Sequence, residues 1–420
     1  MTAATTSARS CRCADSSAKH RCDRRPATDT ADVVIVGAGV MGASVAHHLA
    51  ARGCRNVRIL ERYGKPGEGS TSRATGGFRL QFGSEAHVRL SALSREKLLR
   101  FREETGVDPD YRPRGYLFMV RDEAQLRSLR TVLEVQRSAG VDDAREVTPE
   151  EIRRMVPWAR TDEVIGGTFG PSDGFIRPLE ITRGYLEAAQ RNGVRVEYDA
   201  GWIECTVRDE GGRRRITGVR AGDREIATRC VVNAAGPWAG MFAARAGVDV
   251  PVRPLKRQTG ITVPFPKLSD DTPMTICHWD GVHFRVRNGR VLLLWPTDPT
   301  PEELAKPFDT TFDPRWLDEL LPLVHAYFPI LRDAAIDRPR CWAGLYEMSP
   351  DRHALLGAAP GLDGMYLING SSGHGVMHSP ALGQLLAEII LDGRATSLDV
   401  TPWRPSRFAE GRPNPRDDVL

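Results

Sequence analysis

The chain has 420 residues, enough for two or three domains that each bury a core. Its 58 Lys+Arg against 54 Asp+Glu give a net charge of +4, and 27% charged beside 41% hydrophobic residues is ordinary globular composition, which supports neither a disordered chain nor a nucleic-acid binder. One long stretch without formal charge, Val33 to Ala51, could reach across a bilayer. It holds Gly37, Gly39, Gly42, Ser44, His47 and His48, however, so it reads as a buried element of a soluble unit and no membrane span is expected.

Of eight cysteines, Cys54, Cys205, Cys230, Cys277 and Cys341 lie far apart with no CxxC among them, which favours reduced thiols in a cytoplasmic protein. Cys11, Cys13, His20 and Cys22 crowd an N-terminal tail without an apolar period to rigidify a metal site, so no metal is expected. Arg24-Arg25 lacks the hydrophobic region and small-residue cleavage site of an export signal. Residues 1–30 are expected to be a disordered tail.

Asp32-Val-Val-Ile-Val36 then has the β-branched run of a strand buried on both faces of a parallel sheet. Met41 to Arg52 follows as a helix closed by Gly53, and Val57 to Leu60 supplies a second strand ending at Glu61, which completes a βαβ unit. Gly64 to Gly83, rich in Gly, Ser and Thr, is too long for a plain connection and is expected to lie as a loop over a ligand. Glu85 to Glu104 reads as a helix. From Arg114 to about Gly174 the character changes. A strand at Tyr116 to Val120, a charged helix from Asp122 to Ala139 and a helix start at Thr148-Pro-Glu-Glu151 mark an inserted second unit. Leu179 to Asn192 is helical, and Val194 to Tyr198 with two further strands leads to a strand running into Asn233-Ala-Ala-Gly-Pro-Trp238. Short alternating strands such as Val282 to Val286 and Arg290 to Trp295 suggest antiparallel sheet between Leu255 and Arg340. The chain returns to the first unit with a strand at Gly364 to Asn369, a tight loop at Gly370 to Gly375 and an apolar helix from Pro380 to Leu391. The expected parts are a first unit of 31–112, 177–251 and 342–408, a second of 113–176 and 252–341, and a C-terminal tail of 409–420.

Gly37-Ala-Gly39-Val-Met-Gly42 sits where a strand hands over to a helix. Gly37 permits the turn, Gly39 lets backbone approach a diphosphate, and Gly42 lets helix pack on sheet. Glu61 follows about 20 residues after Gly39, as expected of a carboxylate that accepts hydrogen bonds from ribose hydroxyls, and an acid there disfavours a 2′-phosphate. Ala234 to Trp238 and Gly370 to Gly375 cap two further strands, so three strand ends can converge on one extended cofactor, and FAD is long enough to need them. A helix opening after Gly375 would aim its N–H groups and positive dipole end at negative charge developing on a flavin.

Together, Val34 to Gly42, Glu61, Gly69 to Arg79, Asn233 to Trp238, Trp342 to Asp351 and Gly373-His-Gly375 resemble the D-amino-acid oxidase superfamily, over nearly everything from about 31 to 408. Within it they resemble the sarcosine oxidase-like branch, which includes the β subunits of sarcosine oxidase and proline dehydrogenase. The resemblance implies an α/β fold of glutathione-reductase type, with a Rossmann-like FAD-binding domain and an inserted antiparallel-sheet substrate domain. It implies cofactor contacts from Gly37, Gly39, Val40, Met41, Gly42, Glu61, Arg62, Ser70, Thr71, Ile203 (by backbone), Ala235, Gly236, Trp238 and Gly344, with Gly373, His374, Gly375 and Met377 beside the flavin ring. Arg79 aligns with an arginine over the flavin face that could bind a substrate carboxylate, although an arginine is as easily a surface salt-bridge partner. Tyr346 aligns with an active-site tyrosine and could equally be a core aromatic. His283 and Arg285, two apart on one strand, share a face that is either pocket wall or exposed polar surface.

The sequence also departs from the family. Gly344 stands where monomeric sarcosine oxidases carry the cysteine bonded to flavin, and Cys341 is misplaced for that bond, so non-covalent FAD is expected. The strand Arg290 to Trp295 lacks the lysine linked to oxygen activation, and Met377 replaces a substrate-binding lysine, which argues against O2 as an efficient acceptor and against a small carboxylate such as sarcosine. The expected activity is oxidation of the C–N bond of a secondary, N-methylated or other amino acid or amine to an imine by hydride transfer to flavin N5. The acceptor would be O2 or an electron-transfer partner, and a hetero-oligomer is compatible with the latter. The alternatives are a 2-hydroxy-acid oxidoreductase with His283 or His374 as base, and a flavin-containing subunit or assembly factor with little turnover of its own.

Overall fold

The computed structural model describes residues 29–416. The expectations for Cys11, Cys13, His20, Cys22 and Arg24-Arg25 fall outside the described residues.

The first unit is built on a six-stranded sheet in the order Leu355–Ala358, Met365–Asn369, Val231–Asn233, Val33–Val36, Val57–Leu60, Arg195–Glu197. All neighbours run parallel except Leu355–Ala358, an antiparallel edge. Because successive side chains of a strand point to opposite faces, the sheet feeds two cores. Val33, Ile35, Ile59, Val232 and Ile368 pack on the helices Val40–Ala51, Glu85–Thr105, Pro178–Arg191 and Gly375–Asp392. Val34, Val36, Leu60, Val231 and Leu367 pack on the helix Ala239–Arg245 and on a four-stranded sheet in the order Asp29–Thr30, Arg224–Ala227, Arg213–Ala221, Ile203–Glu210. Burial on both faces is why these strands are unbroken apolar runs.

The second unit is an eight-stranded sheet in the order Trp342–Met348, Arg253–Ile261, Arg290–Leu294, His283–Arg287, Met274–Cys277, Tyr116–Val120, Gly166–Gly170, Arg145–Val147. It is mixed rather than antiparallel throughout, since Met274–Cys277 and Tyr116–Val120 pair in parallel. Those two strands come from separate chain segments, so no hairpin turn dictates their direction. One face packs Leu117, Met119, Phe284, Val286 and Leu293 against Trp316, Leu317, Leu320 and Val324 of the helix Pro314–Tyr327.

Four boundaries differ from expectation. Asp29–Thr30 is a strand paired with Ile226 and Ala227 rather than tail, and Asp29 forms an ion pair with the buried Arg58. Trp342–Met348, expected to open the return to the first unit, pairs with Arg253–Thr259 as the edge strand of the second sheet. The segment Gly64 to Gly83 includes a one-turn helix at Ser70–Arg73 and a strand at Gly77–Phe78. The last helix opens at Gly375, with Pro380 inside it. Proline leaves the carbonyl four residues earlier without its donor, and here the Ser379 hydroxyl donates to that carbonyl, on Val376, at 2.9 Å.

The expected C-terminal tail is held in place up to its described end. Arg407, fully buried, donates to both carboxylate oxygens of Asp351 at 2.8 and 2.9 Å, and the Asn414 N–H donates to Asp351 at 3.0 Å. These donors hold the Asp351 carboxyl well below the usual carboxylate range. No described helix is long and apolar enough to cross a membrane. Removing one member of a buried ion pair strands the other, so Arg407→Ala should destabilise the fold by about 3–5 kcal/mol in equilibrium urea unfolding, whereas breaking an exposed pair such as Arg404 with Glu410 should leave the urea midpoint almost unchanged.

Candidate active site

Between the two units lies a cavity of 570 Å³. Its floor is the carboxyl edge of the parallel sheet, where loops leave four strands lying side by side, as expected for ligand sites of open α/β sheets. In spatial order these ends carry Glu61, then Gly37 to Gly42, then Ala234 to Trp238, then Gly370 to Gly375.

At the first end, Glu61 accepts from the Ala38 N–H at 2.7 Å and the Tyr63 N–H at 3.0 Å, so one carboxylate ties the second strand to the glycine loop. Burial pushes its carboxyl above the ordinary range. A Cβ at Gly37 would lie 2.6 Å from the Ala234 carbonyl oxygen, and one at Gly42 would strike the Gly37 carbonyl, so both glycines serve close approach. The Thr71 hydroxyl accepts from the Val40 N–H at 3.1 Å and caps the helix from the Gly64 to Gly83 segment. Arg62 lies 5.0 Å from the Tyr63 ring, 5.6 Å from Trp202 and 5.7 Å from Trp238, so three aromatic rings gather around its guanidinium.

The other end is closed by the second sheet and the Gly370 to Gly375 loop. Thr259, Leu294 and His283 form a cross-strand row on the cavity wall, each facing the next in register. The His283 Nδ1–H donates to the Gly281 carbonyl at 2.6 Å, which leaves Nε2 with a lone pair, and burial pushes its pKa down to about 4. Arg79, 5% exposed, lies 4.2 Å from the Phe82 ring and donates to the Gln81 carbonyl at 3.0 Å and to His374 Nε2 at 3.2 Å. Arginine can only donate, so His374 is neutral with its proton on Nδ1; burial and the Arg79 charge hold it well below the ordinary histidine range. Tyr346, 40% exposed, stands over Gly373, where a Cβ would lie 2.5 Å from its ring. Gly373 also has φ +94°, so both its conformation and its neighbour require glycine.

Of the residues expected at the site, Gly37, Gly39, Val40, Met41, Glu61, Arg62, Ser70, Thr71, Ile203, Ala235, Gly236, Trp238, Gly344, Gly373, Gly375 and Met377 line this cavity, as do Arg79, His283, His374 and Tyr346. Gly42 and Arg285 do not. Gly42 lies beneath the loop. Arg285 shares its strand face with His283 but gives its guanidinium to the carbonyls of Thr75 and Gly76, which are themselves cavity wall, and stacks 3.8 Å from Phe175. It positions the wall instead of forming it.

Three contributors escaped the sequence reading. Asp173, 1% exposed, accepts from the Leu80 N–H and from Gln81 Nε2, fixing the backbone that carries Arg79; burial pushes its carboxyl up to about 7. Arg257, 5.8 Å from the Tyr346 ring, lines the cavity and donates to the Thr297 carbonyl at 2.8 Å. Glu347 lines it beside Gly236 and Gly375. Asp173 and Arg257 carry no local motif, and Glu347 lies inside the Trp342 to Asp351 motif, where the resemblance singles out its neighbour Tyr346; each acts through partners far away in the chain. Among the described residues, no lysine and no cysteine lines the cavity.

Residues 32–389 match the family described as FAD dependent oxidoreductase (DAO). The chain is 28% identical to FAD-dependent oxidoreductase domain-containing protein 1 of Bos taurus, over 91% of this chain and 86% of the relative. It is 29% identical to mitochondrial sarcosine dehydrogenase of Homo sapiens, over 88% of this chain and 40% of that longer protein. The crystal structure of L-proline dehydrogenase from P. horikoshii superposes with a TM-score of 0.83 at 31% identity, covering 92% of this chain and 100% of the other. The chain therefore belongs to the FAD dependent oxidoreductase (DAO) family, and its cofactor is FAD. The cavity fits that group: it has the glycine cradle, two helix N-termini, the Glu61 carboxylate and, on its wall, a buried carboxyl oxygen of Glu347 without a partner.

A Cβ at Gly344 would lie 2.8 Å from Arg73 Cβ, and Arg73 holds the Glu68 and Gly69 carbonyls. Gly344→Ala should therefore weaken FAD retention severalfold in apoprotein titrations, and Arg73→Gly added to it, which removes the opposing Cβ, should restore part of the loss. The buried imidazoles His47, His48, His283, His353 and His374 all have pKa values below the ordinary 6.5, so unfolding takes up protons and stability is lost as pH falls from about 6.5 to 4. The raised carboxyls of Asp173, Glu347 and Glu61 oppose this but are fewer, so the urea midpoint should drop across that window.

Proposed function

We propose that the protein oxidises a secondary or N-methylated amino acid, taking a hydride from the carbon next to nitrogen while the nitrogen lone pair closes a C=N bond. The observation that carries this reading is the meeting of Arg79, Tyr346 and two neutral imidazoles at the end of the cavity that the Gly373–Gly375 turn closes. FAD, bound non-covalently, supplies the two-electron acceptor. Arg79, held between Phe82 and His374, binds the substrate carboxylate, and the Tyr346 hydroxyl orients the amine. Arg285 and Asp173 keep the wall and the Arg79 backbone in place. A neutral amine needs no strong base, which suits a site whose histidines stay neutral. An alcohol would need one, and imidazoles that burial holds below the ordinary histidine range are poor bases at pH 7, which disfavours the 2-hydroxy acid.

The relatives named for proline and sarcosine act, by those names, on secondary amino acids. With no lysine on the wall, we assign the electrons to a transfer partner rather than to O2. Among the described residues the five cysteines are free thiols, which fits a reducing compartment, the cytoplasm in the first instance.

Anaerobic addition of proline and larger N-alkyl amino acids should bleach the oxidised flavin band, and sarcosine should do so more slowly. Bound FAD that no amine reduces would refute the proposal and favour the subunit or assembly-factor reading; reduction by a 2-hydroxy acid alone would favour the alcohol reading. Arg79→Ala should lower kcat/KM for an amino acid by about 30–150-fold, equivalent to about 2–3 kcal/mol, and change turnover of the decarboxylated amine far less. Equal losses on both substrates would reject the carboxylate role.

A further inference from the structure

Glu347 sits on Trp342–Met348, the strand that also carries Tyr346, but neighbouring strand residues point opposite ways. Tyr346 meets Gly373, whereas Glu347 turns toward the sheet edge. Its Oε1 accepts from the Ser371 N–H at 3.3 Å and lies 3.8 Å from where a Cβ at Gly375 would be; its Oε2 lies 4.0 Å from the corresponding point at Gly236. The residue is 9% exposed, and Oε2 is buried with no hydrogen-bond partner among the described residues. A buried carboxyl oxygen left without a partner is costly, and this one lies on the wall of the FAD cavity.

Its place along the cofactor follows from strand order. Glu61, where the ribose of the adenosine is expected, ends one strand, and the diphosphate-binding glycine loop ends the next. Glu347 stands over the ends of the two strands after that, Val231–Asn233 and Met365–Asn369, at the flavin side of the diphosphate. We propose that Glu347 is a cofactor-binding residue whose Oε2 hydrogen-bonds a hydroxyl of the ribityl chain of FAD. The inference rests on the family's cofactor and is independent of the substrate reading.

The chemistry of the partner separates ribityl from diphosphate. Burial, opposed by the N–H groups of Ser371 and Gly370 and by the Ser371 side chain, pushes this carboxyl up to about 7, so both protonation states are populated near neutrality. A hydroxyl both donates and accepts and pairs with either state, whereas a diphosphate would repel the ionised one.

The test uses apoprotein freed of FAD, titrated with FAD and separately with ADP, which has the diphosphate but no ribityl chain. Glu347→Leu should weaken FAD about tenfold and leave ADP affinity unchanged, while Glu347→Gln, which keeps a polar group at Oε2, should stay within about threefold of wild type for both. Glu347→Leu removes an unpaired buried oxygen but also strands the Ser371 N–H, so its apoprotein Tm should fall slightly, and FAD should raise that Tm less than it raises the wild type's. Wild-type FAD affinity in the Leu variant, an equal loss of ADP, or a Gln variant no better than Leu would each overturn the assignment. A lowered apoprotein Tm with an unchanged increment from FAD would assign Glu347 to the structure alone. Should Glu347→Leu not yield folded protein, Glu347→Ala carries the same readouts.

Discussion

A parallel strand must end on the same edge of its sheet as its parallel neighbours, and everything at this site follows from that constraint. Val33–Val36, Val57–Leu60, Val231–Asn233 and Met365–Asn369 are far apart in the chain, yet their carboxyl ends lie side by side because both faces of the sheet are covered by helices or by a second sheet. The loops after them have nowhere else to go. A cofactor laid along that edge meets a glycine turn, a helix N-terminus or a carboxylate at each strand, and the protein provides for each portion of it with a different segment of sequence.

The edge strand Trp342–Met348 converts that cofactor edge into a closed site. It belongs by hydrogen bonding to the mixed sheet, but it lies against the loops of the parallel one, with Ser70 donating to the Leu345 carbonyl at 2.6 Å and the Trp342 indole donating to the Arg73 carbonyl at 2.9 Å. One strand thus presents Tyr346 to Gly373 and Glu347 to Gly236 and Gly375. Arg79 is held by a comparable division of labour, with its backbone fixed through Asp173 and its guanidinium through Phe82 and His374. The reactive end is accurate because its parts are supported from both sheets.

What could be read from sequence was what is local. The βαβ unit, Glu61 and the glycine turns are encoded within a few residues of themselves, and the cavity lining contains nearly all of them. The strand period correctly put His283 and Arg285 on one face, but it could not show that Thr75 and Gly76 would claim the Arg285 guanidinium. Asp173 and Glu347 look like ordinary polar residues of a turn and a strand. Their burial exists only once segments from the two sheets close over them. The return to the first unit was misplaced for the same reason: Trp342–Met348 has the composition of either sheet, and only its register with Arg253–Thr259 decides.

The position of Met365–Asn369 inside the six-stranded sheet also shapes how the chain is made. Until the ribosome has released that strand, Val231–Asn233 presents an unpaired parallel edge, and the mixed sheet still lacks a border until Trp342–Met348 has emerged. Neither half can close on its own during synthesis. The contacts that complete both sheets are thus made late in the chain and over long sequence separations, a high-contact-order topology.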